Sequence, residues 1–164
     1  MVEWSLAVNR DIETRMRKIS PFRGVRESLE KIRAGSDLAV VSQTPEEALV
    51  KEWEENNLAQ YVQIIAGQEL GTKAEHLQMI TAGRYRPENV LMIGDALGDQ
   101  LAAESLDACF YPVNPGHEEA SWKRFIEEAY DRFLAGTFRG AYQQKLNAEF
   151  AAFLPAQPPW IKPA

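Results

Sequence analysis

Four short apolar runs, LAVVS (38–42), YVQIIAG (61–67), NVLMIG (89–94) and ACFYPV (108–113), alternate with stretches of helical periodicity. Brief continuous apolar runs bounded by turn residues read as strands, and a run as uniformly apolar as LAVVS reads as one buried on both faces. Strands that alternate with helices of this length form βαβ units, which require a parallel sheet covered on both sides. The expected fold is therefore α/β, a Rossmann-like three-layer sandwich. In such sheets ligands sit beyond the carboxyl ends of the strands, so polar residues there are the site candidates.

The intervening segments supply the helices. Trp4, Val8, Ile12, Met16 and Ile19 recur at helical spacing and predict a helix over 1–20, ended by Pro21. Val25, Leu29 and Ile32 mark a second helix, stopped at Gly35. Thr44, Pro45 and Glu47 have the spacing of a capped helix start, and that helix runs through Leu49 and Trp53 to Asn57. Residues 73–81 predict a helix with Leu77 and Ile80 inward, and 98–106 another with Leu101 and Ala102 inward. Pro112 cannot donate to a ladder, which places ACFYPV at a sheet edge or ends it early. Beyond it, Trp122, Phe125, Ile126, Ala129, Tyr130, Phe133 and Leu134 form one apolar face, and Tyr142, Leu146, Phe150 and Phe153 another. With the break at 136–140 between them they predict a carboxyl-terminal helical hairpin, packed on the sheet or on a partner.

Charge and composition exclude several classes. With 18 Lys and Arg against 24 Asp and Glu the net charge is −6, and no basic stripe offers a nucleic-acid surface. No segment approaches the roughly 20 apolar residues of a membrane span, and the amino terminus is not patterned as a signal peptide. A single cysteine, Cys109, excludes an intrachain disulfide and suits a reducing cytoplasm; it reads as a small buried hydrophobe in a strand. The proline-rich tail, 155–164, is expected to be extended.

Three strand ends could carry chemistry. Ser42, Gln43 and Thr44 precede a helix start, where a hydroxyl and free backbone N–H groups suit a phosphate oxygen, although Ser and Thr also cap helices everywhere. Lys73 opens the next helix, either to neutralise an anion or merely as a solvated surface cation. Asp95 and Asp99 lie four apart after the third strand, which suits a hard cation such as Mg²⁺, or equally a turn and a first helical turn.

Taken in order, LAVVSQT, GTKAEH and VLMIGDALGD resemble motifs II, III and IV of the haloacid dehalogenase (HAD) hydrolases, and PFRGVRESLEKI resembles the helix that leads into motif II. The resemblance covers 21–113. It implies a hydrolase, most simply a Mg²⁺-dependent phosphatase acting on a small phosphorylated metabolite through an aspartyl intermediate. Carried over, Ser42 and Gln43 bind the phosphoryl group, Lys73 supports it, and Asp95 ligates Mg²⁺. Asp99 serves the same metal through water or by orienting its ligands. The implied organisation is 1–20 as the last helix of a cap domain, 21–116 as the HAD-like core, 117–154 as the helical extension and 155–164 as the tail.

The nucleophile of such an enzyme is the first aspartate of an Asp-x-Asp pair after an upstream apolar strand, and the sequence holds no Asp-x-Asp pair. SLAVNRD (5–11) offers Asn9 and Asp11 at that spacing, but a neutral amide lacks the charge for attack, and the helical stripe competes with a strand there. The chain is thus expected to be a HAD carboxyl-terminal portion, inactive alone. The alternative is a non-catalytic phosphate- or metal-binding or assembly module. In this family the missing strand lies between those ending at Ser42 and Gly94, whose bare edges would favour self-association into a homo-oligomer. No G-x-G-x-x-G turn supports another Rossmann-like phosphate binder.

Overall fold

A computed structural model describes residues 19–154; the expected helix over 1–20, the Asn9 and Asp11 pair and the tail at 155–164 lie outside them. The described chain is a mixed α/β domain. Gly24, at a φ of 92° and with Trp122 Cβ 3.0 Å from where a side chain would begin, turns the backbone into helix α1 (Val25–Arg33). Leu29 and Ile32 of α1 are buried as their spacing requires. Strand β1 (Ala39–Val41), helix α2 (Glu46–Glu55), strand β2 (Ile64–Ala66) and helix α3 (Lys73–Thr81) follow. Strand β3 (Leu91–Gly94), helix α4 (Leu97–Ser105) and strand β4 (Cys109–Pro112) complete the alternation.

Among the described residues the strands form two parallel pairs rather than one sheet. Ala39 to Val41 of β1 align with Ile64 to Ala66 of β2, and Leu91 to Gly94 of β3 with Cys109 to Pro112 of β4. The expectation that LAVVS is buried on both faces is therefore corrected. Ala39 is exposed, Val40 and Val41 are half-buried, and Ile64 beside them is 42% exposed; among the described residues β1 has a neighbour on one edge only.

The strand with Pro112 is instead the most buried of the four. Among the described residues it pairs only with β3, donating from Cys109 N to Val90 O and from Val113 N to Gly94 O, both at 2.8 Å. By the alternation of a strand, the Pro112 nitrogen points away from β3, where no ladder bond is lost. Burial comes from the helices that follow: α5 (Glu118–Arg124), a π-helical stretch (Phe125–Ala129), α6 (Tyr130–Leu134) and α7 (Ala141–Phe153).

These helices turn their aromatic faces onto the sheet. Tyr111, Phe125, Tyr130 and Phe138 form one core with Ile32 of α1, with Tyr111 edge-on to Phe125 at 5.1 Å. Phe150 of α7 meets Phe110 of β4 at 5.6 Å in a second core that includes Leu77, Met92 and Ala103. A third and smaller group, Leu29, Leu58 and Tyr61, serves the β1–β2 half. Leu134 is 55% exposed and so drops out of the expected inward face. Leu101 does the same on α4, where Ala102 and Ala103 are inward instead. Cys109 is a free, buried thiol, as its strand setting implies, and burial pushes its pKa up. No helix among the described residues is long and apolar enough to cross a membrane.

Candidate active site at the carboxyl ends of the strands

Local chemistry fixes where each candidate side chain begins. Gly71, at a φ of 123°, gives the chain its turn into α3. Thr72 then caps the helix in a reciprocal box: Glu75 N donates to Thr72 Oγ1 at 3.3 Å, and Thr72 N donates to Glu75 Oε2 at 2.7 Å. The Thr72 amide, and then its hydroxyl, hold the Glu75 carboxyl below the usual carboxylate range. Lys73 is thereby set at the first position of α3.

The capping expected at Thr44 does not form. Pro45 takes an extended backbone, ψ 134°, so α2 starts one residue later, at Glu46, without a side-chain cap. The Glu69 carboxylate accepts from Glu46 N at 3.0 Å instead. Thr44 N donates to Ser42 Oγ at 3.1 Å, which leaves the Ser42 hydroxyl proton free to point outward. The amides expected to be open to a phosphate at this helix start are thus partly occupied by protein oxygens.

Two contacts draw the loops together. Gln43 Nε2 donates to Gly71 O at 3.0 Å, tying the end of β1 to the loop before α3. Lys73 Nζ forms an ion pair with Asp99 Oδ1, tying α3 to the start of α4. The carboxyl ends of β1, β2 and β3 therefore share one mouth, and both strand pairs run toward it. Ser42, Gln43, Lys73, Asp95 and Asp99 all belong to that mouth.

The two aspartates have different environments. Asp99 is 2% exposed, and its Oδ2 accepts from Asp95 N at 3.2 Å and Ala96 N at 3.1 Å. Both of its oxygens are thus committed, one to Lys73 and one to the backbone that enters α4. It holds the loop as an anion at a helix start. Asp95 is exposed, and among the described residues its carboxylate has no partner. Sequence reasoning missed Gly94: a Cβ there would collide with the Asp99 carboxylate, so only glycine lets that side chain fold back under the loop. It also missed His76, one turn below Lys73, buried with neither ring nitrogen hydrogen-bonded.

Magnesium is commonly held by one or two carboxylates completed by phosphate oxygens and waters. Asp95 fits one such position. Asp99, expected beside it as a ligand, is engaged elsewhere, and no group of three or more His, Cys, Asp or Glu among the described residues could hold a metal ion.

A parallel α/β frame thus brings a hydroxyl, a lysine and two aspartates toward the carboxyl ends of its strands. The sequence model of the haloacid dehalogenase-like hydrolase family matches residues 3–112, and the chain belongs to that family. The match starts upstream of 21–113, the stretch that carries the motif resemblance. No curated protein matches the chain.

Proposed function

We propose that this mouth binds the phosphoryl group of a small phosphorylated metabolite with Mg²⁺, as the phosphate-holding part of a HAD-type phosphatase, and that these residues alone do not turn it over. In this reading the two strand pairs belong to one Rossmann-like three-layer sandwich, flanked by the carboxyl-terminal helices as a hairpin. The observation that carries it is the ion pair of Lys73 with Asp99, which holds a cation over the loop that carries Asp95, while Ser42 at the end of β1 keeps a hydroxyl proton to donate. An ammonium has three donors, so Lys73 keeps two for phosphoryl oxygens after meeting Asp99. Ser42 donates its proton to a third oxygen, and Gln43 holds the loop through Gly71. Bound at Asp95, Mg²⁺ would neutralise phosphoryl charge. Covalent phosphoryl transfer needs an attacking carboxylate, and no strand end among the described residues presents an Asp-x-Asp pair. That lack also favours a second reading, a binding module without turnover.

The test is a titration of inorganic phosphate with Mg²⁺, followed by amide shifts, beside a phosphomonoester hydrolysis assay. Shifts at Gln43, Thr44 and Gly94 to Ala96 with no hydrolysis above background are expected. No shift at these amides removes the site; hydrolysis that vanishes in Asp11→Ala shows that the chain carries its own nucleophile.

A further inference from the structure

Away from the mouth, at the amino ends of β3 and β4, the carboxyl ends of α3 and α4 border a pocket of about 220 Å³. Val90 and Ala108, which lead into the two strands, line it together with Leu106 after α4 and Ala82 after α3. Tyr85 and Pro87, from the turn between α3 and β3, complete its apolar lining. That turn is held in place. Arg84 N and Tyr85 N both donate to Thr81 O, at 3.1 and 3.3 Å, and the Tyr85 hydroxyl donates to Asp37 Oδ2. The pocket is therefore formed before anything enters it, as small-molecule sites generally are.

We propose that this pocket binds a small neutral aromatic molecule, of one or two fused rings, that carries an N–H or O–H donor. Size sets the first limit: an apolar cavity of about 150 Å³ holds benzene, so this one takes a single or a fused ring. Shape sets the second, because the tethered Tyr85 ring is a wall on which another ring stacks or stands edge-on. Charge sets the third. Arg84, Arg86 and Arg139 around the pocket are matched by Asp37, Glu88 and Asp107, with Arg86 to Glu88 at 3.7 Å and Arg139 to Asp107 at 3.2 Å. Neither an anion nor a cation is favoured. The polar edge is the carboxyl end of α3, where the carbonyls of Ala82 and Gly83 accept no hydrogen bond from the described residues. A helix end of this sign favours donors, so the ligand's polar atom bears a proton. The proposal takes nothing from the phosphate reading, whose residues lie at the other end of the strands.

The experiment titrates indole into the whole chain and follows amide shifts, with 1-methylindole as the ring that lacks a donor. Saturable shifts are expected at Gly83, Tyr85, Leu106 and Ala108, with Gln43 and Gly94 to Ala96 unmoved. Loss of one hydrogen bond should make 1-methylindole bind about fivefold more weakly. Tyr85→Ala, at an exposed position where the fold survives, removes the wall and should weaken indole about tenfold. Shifts that do not saturate overturn the proposal. So does equal binding of indole by Tyr85→Ala, which would mean contact without a site, or equal binding of 1-methylindole, which would remove the donor.

Discussion

At the scale of single residues, Gly94 and Asp99 form one unit. A methyl group at Gly94 would overlap the carboxylate that anchors Lys73 and two backbone amides. Gly94→Ala is expected to cost about 2 kcal/mol or more as overpacking, and Asp99→Ala about 3 kcal/mol by stranding a cation and two N–H groups. Removing the Asp99 side chain also removes the clash, so the double variant should cost less than the sum by about 1 kcal/mol or more. Urea denaturation of the four proteins checks this, and strict additivity would mean that the two do not touch. His76 gives the opposite sign. Its unbonded, buried ring carries a desolvation penalty, so His76→Leu should raise stability by about 1 kcal/mol, read as a higher urea midpoint. The sequence showed Asp95, Asp99 and Lys73 through their spacing at strand ends. It did not show which aspartate is buried, because that depends on a contact between helices 26 positions apart in the chain.

Among the elements, the helices after β4 carry the main core, and their tyrosines make it sensitive to alkali. Burial and the nearby Glu128 push the Tyr142 pKa up to about 12. Its hydroxyl also donates to Glu128 Oε2 at 3.2 Å. Tyr111 shifts upward too, mainly through burial. A tyrosine is neutral when protonated, so a raised folded pKa means that the folded state holds its proton longer than the unfolded one. The stability this gives is complete below the unfolded value, near 10, and is lost as pH climbs toward 12. Circular dichroism between pH 9 and 12 should show wild type losing stability more steeply than Tyr142→Phe; equal slopes would remove Tyr142 as a cause. The apolar periods announced these helices, since aromatics at helical spacing had to be covered. Periodicity could not say that they would bury β4 so fully, nor that Leu134 and Leu101 would stay outside. Which end of an apolar stripe meets the core depends on helix lengths and crossing, which a single stripe does not encode.

For the whole molecule, the consequence of two strand pairs is uneven stability. β3 and β4 lie between the two larger cores, and all four β4 residues are buried. β1 and β2 have only the small group of Leu29, Leu58 and Tyr61 nearby and reach the larger cores only through Leu38 and Val41, with Ala39 and Ile64 exposed. The alternation of runs and helices had predicted all four strands, but run composition treats each as if its neighbours were in place, so LAVVS read as central. Local opening energy scales with the apolar contacts that opening breaks, so the two pairs should not open together. Amides of Val40 and Val41 are expected to exchange at least about tenfold faster than those of Phe110 and Tyr111, a gap of about 1.4 kcal/mol or more in opening free energy. Native-state hydrogen exchange at low denaturant measures it directly. Equal opening energies in both pairs, rising and falling together with urea, would show one cooperative sheet.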